Sequence, residues 1–296
     1  MSLQTRQRAE QLASTLPPLL VAAERVASTV AQGVHGRRRV GQGDSFWQFR
    51  HYAFGDSVRG VDWRQSAKGD HVYVRETEWE AAQSVWLWRD ASASMRYRSD
   101  RALPEKHERA DLLLLALASL LADSGEQVAL LGGQRSPPRG RAVLERLIGE
   151  MARSAAEESL PPDIPLPRHG ATVWIGDFLS PLAEIEAALG RYAGRGIRGY
   201  ILQVLDPAEA ALPFKGRIRF DGMEGEASTL ITRVDAVRDD YRERFRAHQD
   251  GLRDLARLAG WHFGTHTTDQ SPQKALLDLY IGLSQPGGPA FSRPGG

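Results

Sequence analysis

From residue 84 onward, short apolar runs alternate with stretches of helical periodicity. "SVWLWR" (84–89), "QVALLGG" (127–133), "ATVWIGDF" (171–178), "GYILQVLD" (199–206) and "WHFGTHTT" (261–268) read as strands, because short apolar runs closed by Gly, Asp or Ser are the signature of buried strands. Helical spacing fills the intervals, at about 108–123, 140–155 and 181–193, with Pro181 near the start of the third. A long charged helix is predicted over 235–258, with Val237, Tyr241, Phe245, Leu252 and Leu255 as its apolar stripe, and a last helix over 271–283. "GRIRFDGMEGEASTLITR" (216–233) breaks the rhythm with two alternating runs around a Gly-rich turn, the pattern of a hairpin. Strands that alternate with helices imply a parallel sheet covered on both faces. Right-handed crossovers then bring the strand-to-helix loops to one edge, where such sheets bind their ligands.

The upstream third has a different texture. Residues 4–31 carry helix formers interrupted by Pro17 and Pro18, and residues 33–80 are rich in Gly, Arg, Asp and aromatics. Within the latter, "FWQFRHY" and "HVYVRETEWE" alternate with period 2, as half-buried strands do. The expected organisation is an N-terminal helical arm (1–32), a small β-rich unit (33–82), a doubly wound, mainly parallel α/β domain with an inserted β-hairpin (83–284), and a Pro/Gly-rich disordered tail (285–296).

Composition narrows the chemistry. The absence of cysteine excludes disulfides, thiolate metal sites and cysteine nucleophiles. A net charge of +1 supplies no field to draw in nucleic acid, so the run Arg37–Arg39 reads as a solvated or ion-paired patch. The longest apolar run, Leu112 to Ala122, is well short of the ~20 residues that span a bilayer. Glu24 and Arg25 interrupt the apolar N-terminal stretch, which therefore does not read as a signal peptide. No membrane insertion and a cytoplasmic location are expected.

The first strand ends in "DASAS", with Asp90, Ser92 and Ser94 at alternate positions. Four readings compete. Asp and Ser suit a plain turn, because their side chains bond nearby backbone N–H groups. A serine nucleophile lacks both the G-x-S-x-G elbow and an evident histidine partner. An aspartate for phosphoryl transfer usually has a second acid two residues on, where this chain has Ser92. The fourth reading is Mg²⁺, which favours hard oxygen ligands in octahedral geometry. Asp177 ends another apolar strand and is expected at the same edge, completing a set of Asp90, Ser92, Ser94 and Asp177. Neutral hydroxyls leave a cation under-neutralised, so an acidic residue of a partner protein would complete its coordination. The chemistry is then adhesion rather than turnover. A metal-dependent hydrolase is the alternative, against which stands the lack of His or Glu within residues 84–97 to act as a base.

D-x-S-x-S after an apolar strand, with a later strand-end Asp, resembles the metal-ion-dependent adhesion site of von Willebrand factor type A domains. The preceding region resembles the signature of a bacterial family named only as domain of unknown function 58. Its R-x-Y-x-x-G-D-x-x-R-x-x-D-W core is matched by Arg50, Tyr52, Gly55, Asp56, Arg59, Asp62 and Trp63. The likeness covers roughly residues 33–282. It implies a fold of the von Willebrand factor A type and a non-enzymatic partner of a MoxR-type AAA+ ATPase in chaperone or maturation work. It also implies membership of the subgroup without membrane helices. Type A sites usually add a threonine, and there is none between Leu131 and Pro167. Ser136 is the nearest substitute, while Thr172 lies within a predicted strand, so a scaffold with a vestigial metal site is also open.

The cluster from Arg50 to Arg64 fits either a recognition surface or an internal ion-pair network that pins the β unit. "GQGDSF" (Gly41, Gly43) lacks the lysine of a phosphate loop. His262 and His266 share a strand face but stand ~13 Å apart, too far to share a metal.

Overall fold

The computed structural model describes residues 21–31, 46–52, 61, 63–68, 71–77, 84–133, 142–153, 158–167, 170–223 and 227–284. The chain forms two compact units, one within residues 37–83 and the other from the remainder. In the smaller unit, β1 (Phe46–His51) and β2 (Tyr73–Thr77) pair antiparallel with a register irregularity between Phe46 and Gln48. A single helical turn, α2 (Trp63–Ser66), precedes β2, and Ser66 Oγ accepts the Tyr73 N–H at 2.9 Å.

The larger unit is built on five parallel strands. They are β3 (Ser84–Arg89), β4 (Gln127–Leu130), β5 (Ala171–Gly176), β6 (Arg198–Leu205) and β9 (His262–Thr267), in the order β4-β3-β5-β6-β9. Helices α3 (Lys106–Asp123), α4 (Ala142–Arg153), α5 (Leu182–Ala193), α7 (Val234–Leu258) and α8 (Pro272–Ser284) accompany them. The hairpin forms from β7 (Ile218–Phe220) and β8 (Thr229–Ile231), outside the main sheet. A five-residue helix, α6 (Pro207–Ala211), follows β6 directly and had no counterpart in the sequence pattern.

The apolar strands feed two cores because successive side chains point to opposite faces. Val85, Leu87, Val173, Ile175, Leu202 and Val204 pack with α3, α4 and α8 on one face. Helix α1, residues 21–31 of the expected N-terminal helical arm, joins that core through Ala23, Val26, Ala27 and Val30. On the other face, Trp86, Trp88, Trp174 and Ile201 pack with α5 and the C-terminal half of α7. Here Trp174 meets Trp261 and Tyr192 edge-on, at 4.7 and 5.4 Å between ring centres, an arrangement worth about 0.5–1.5 kcal/mol per pair beyond area burial.

The long helix departs from the expected stripe. Leu252 and Ala256 are buried, while Val237, Tyr241 and Phe245 are half-buried. Hydrogen bonds hold that N-terminal half to the segment after β6. Arg238 donates to the Leu212 and Phe214 carbonyls, Arg242 to Ala211, and Tyr241 to Glu209. Among the described residues, no helix is long and apolar enough to cross a membrane.

One topological detail positions the site. From β3 the chain passes to β4 on one side, then to β5 on the other. The strand order therefore reverses between β3 and β5, and the crevice beyond their carboxyl ends is where open α/β sheets bind ligands.

Candidate functional site

Asp90 and Asp177 each directly follow one of the two strands at this reversal. Asp90 is sealed against β5: its N–H donates to the Ile175 carbonyl at 2.8 Å. Its Oδ1 accepts the Ser92 N–H at 2.8 Å, the local bond expected of an Asp-led turn. The seat requires a glycine opposite, because a Cβ on Gly176 would come within 2.8 Å of the Asp90 Cβ. A short 3₁₀ turn (Ala93–Arg96) then lifts Ser94 over the sheet edge, anchored by the buried Met95.

The hydroxyls close the gap between the acids. Ser92 and Ser94 Oγ lie 3.0 Å apart, and the Ser94 hydroxyl donates to Asp177 Oδ2 at 2.7 Å. Asp90, Ser92, Ser94 and Asp177 are thus brought into one connected group, with Asp90, Ser92 and Asp177 buried and Ser94 half-buried. The backbone after Asp177 is turned sharply by Phe178, whose φ of 48° is uncommon for a residue with a side chain. The turn buries the Phe178 ring near Trp88 and leaves Leu179 exposed. It is held by His248, which donates to the Phe178 carbonyl at 2.7 Å, and by Gln203, which donates to the Asp177 carbonyl at 2.8 Å.

The pattern of residues did not reveal the most consequential member. Lys106, the first residue of α3, is fully buried. Its Nζ donates to Asp177 Oδ2 at 2.9 Å and to Glu209 Oε1 at 2.5 Å. Burial works against the charged amine, but Asp177 and Glu209 outweigh it and raise Lys106 above the ordinary lysine value. Burial also raises the carboxyl of Glu209, and Lys106 offsets part of that rise. The expected helix began at about residue 108, and the partners of Lys106 lie 71 and 103 residues away, so no local signal marked it. Asp206 was also missed, although it ends "GYILQVLD" as Asp177 ends its strand. It caps α6 through the Ala208 N–H at 2.7 Å and accepts the Ser99 N–H at 2.9 Å.

The oxygen set suits a hard divalent cation. Adjacent corners of an octahedron with ~2.1 Å metal–oxygen bonds lie ~3.0 Å apart, which is the separation of Ser92 Oγ and Ser94 Oγ. Among the described residues there is no group of three or more His, Cys, Asp or Glu placed to hold a metal. An ion here would therefore depend on the hydroxyls together with Asp90. Thr172 is committed elsewhere: its hydroxyl donates to the Trp86 carbonyl at 2.8 Å and accepts the Trp174 indole N–H at 3.1 Å. Ser136 lies outside the described residues.

Of the upstream signature, Gly55, Asp56, Arg59 and Asp62 also lie outside the described residues, as do Arg37–Arg39, Gly41 and Gly43. Arg50 is in β1 opposite Val74, and Tyr52 donates its N–H to the Val72 carbonyl at 2.8 Å. Trp63 is 63% exposed. His262 stacks on Tyr200 with 5.9 Å between ring centres, while buried His266 sits 3.1 Å from Arg109, so the two histidines have separate partners.

Comparison with known proteins supplies the family. A family model described as "Protein of unknown function DUF58" matches residues 48–251. The chain is also similar to Uncharacterized protein Rv1480 of Mycobacterium tuberculosis and Uncharacterized protein Mb1516 of Mycobacterium bovis. In each case it is 28% identical over 258 residues, covering 81% of this chain and 79% of the relative.

Proposed function

The chain belongs to the DUF58 family, and from that premise we propose that it is a non-enzymatic protein-interaction module with a domain of the von Willebrand factor A type. In this reading, Asp90, Ser92, Ser94 and Asp177 form an adhesion-type edge that takes Mg²⁺ and docks an acidic residue of a partner. The partner is a MoxR-type AAA+ ATPase, with which the module acts in the cytoplasm on the maturation of other proteins. The carrying observation is the linked oxygen set at the sheet's switch point, Asp90–Ser92–Ser94–Asp177. Magnesium when bound supplies a Lewis-acidic anchor for a carboxylate. Asp90 fixes the turn, the two hydroxyls present neutral oxygens, and Asp177 holds Ser94 in place. Asp177 is poorly disposed to act as a general base, since Oδ2 already receives Ser94 and Lys106. This favours docking over hydrolysis.

The test is capture of a MoxR-type ATPase by wild-type protein and by Asp90→Ala, each in Mg²⁺ and in EDTA. Capture by wild type in Mg²⁺, lost in the other three conditions, is the expected result. Equal capture in all four removes the metal mechanism. It would favour the second reading, a scaffold whose edge is held together by the buried Lys106 ammonium on Asp177.

A further inference from the structure

Lys106 presents a puzzle that the docking role does not by itself resolve. A fully buried ammonium at the first position of α3 faces both desolvation and an opposing helix dipole. A hydrophobic residue there would avoid both costs but would leave Asp177 and Glu209 without their cation. The lysine is instead held between Asp177 on the loop after β5 and Glu209 in α6, with the Tyr97 ring 6.0 Å away.

What the ammonium accomplishes follows from its contact with Asp177. Oδ2 of that residue receives both Lys106, at 2.9 Å, and the Ser94 hydroxyl, at 2.7 Å. Oδ1 faces the Leu179 N–H at 3.4 Å. Both oxygens are engaged within the protein, and the negative charge of Asp177 is matched by an internal cation. Ser94 and the ammonium meet at one oxygen, so they cannot be farther apart than the two bond lengths laid end to end. At that range in a buried setting, a positive charge weighs heavily on any cation held by the hydroxyls.

We propose that Lys106 keeps this edge short of negative charge, so that a divalent cation is held weakly until an incoming carboxylate completes it. The inference rests on the magnesium-docking reading above and makes Lys106 a positioning residue for partner recognition. With Lys106 in place, a divalent ion at Ser92, Ser94 and Asp90 retains positive character and selects a partner carboxylate. With Lys106 gone, Asp177 would neutralise the ion from within, and the site would hold metal tightly without calling for a foreign acid.

Mn²⁺ titration followed by electron paramagnetic resonance, with and without acetate as a stand-in carboxylate, tests this on the full chain. Wild type should bind Mn²⁺ weakly and more tightly when acetate is present. Lys106→Met should bind Mn²⁺ alone roughly tenfold or more tighter, with the acetate effect lost. Lys106→Arg, which keeps the charge, should behave as wild type. Glu209→Gln should weaken Mn²⁺ binding, because the ammonium then loses one of its two anions. That arm and Lys106→Arg decide the matter should Lys106→Met fail to fold. Wild-type binding that Lys106→Met leaves unchanged or weakens, or that Glu209→Gln leaves unchanged or tightens, overturns the role of Lys106 alone. No Mn²⁺ binding by wild type or any folded variant overturns the magnesium reading and this inference with it.

Discussion

Replacing Gly176 by alanine adds one methyl group at the point where β5 supports Asp90. The new Cβ would lie 2.8 Å from the Asp90 Cβ and 3.2 Å from its Oδ2. Carbon atoms in ordinary contact stand ~3.5–4.0 Å apart, so one of the two strand ends must yield by ~1 Å. Neither is free to do so cheaply. Asp90 is tied through its N–H to Ile175 and through Oδ1 to Ser92, both at 2.8 Å, while Gly176 is paired with Gln203 in β6. Overpacking of this kind costs about 1–3 kcal/mol. For a domain of this size each kcal/mol lowers the melting temperature by about 2–4 °C. Gly190→Ala is the matched control. It lies on the exposed face of α5, its added Cβ meets nothing within 4 Å, and the change should stabilise by about 0.5–1 kcal/mol. Thermal unfolding of the two variants should therefore move in opposite directions, and on the docking reading proposed above Gly176→Ala should also lose partner capture. A Gly176→Ala protein that melts with wild type and captures normally would refute the claim that Asp90 is seated against β5.

Three further outcomes are expected. His266 is pushed down to about 4 by burial and then by Arg109, against Asp269, with Lys274 adding to the depression. The unfolded chain takes up that proton first, so stability is lost as pH falls from about 6.5 towards 4, by about 1–3 kcal/mol; urea unfolding of His266→Gln across that window should show a flatter slope. Asp206→Ala removes the acceptor of the Ala208 and Ser99 N–H groups and should cost about 1–2 kcal/mol by the same assay. Gly199→Ala drives a Cβ into the Trp261 indole, which is pinned by its N–H on the Ile197 carbonyl at 2.9 Å and by Trp174; a loss of about 2–3 kcal/mol with altered tryptophan fluorescence should follow.

The central sheet was legible because each of its strands is a short apolar run ended by Asp, Gly or a turn. The sequence spans of β3 and β5 carry no competing helical period. The strand-end acids Asp90 and Asp177 were legible for the same reason. The carboxylate Asp206 carries the same signature at the end of its strand, but a helix as short as α6 leaves no periodicity to detect. Lys106 was illegible for a different cause. Whether a lysine at a helix start is solvated or buried depends on partners 71 and 103 residues away, and local pattern contains nothing about them. The stripe of α7 misled in its first half because Tyr241 and Arg242 are held by carbonyls of the preceding segment, so polar bonds replace apolar packing there.

The same long reach of Lys106 bears on the order of events during synthesis. A chain emerging from the ribosome carries this lysine well before Glu209 exists, so the ammonium has both of its carboxylates within reach only after 103 further residues have been made. Ser94 shares its acceptor Asp177 with that ammonium, and this bond becomes possible before the one to Glu209 does. On the docking reading proposed above, a chain that stops short of Asp177 offers a partner no complete edge.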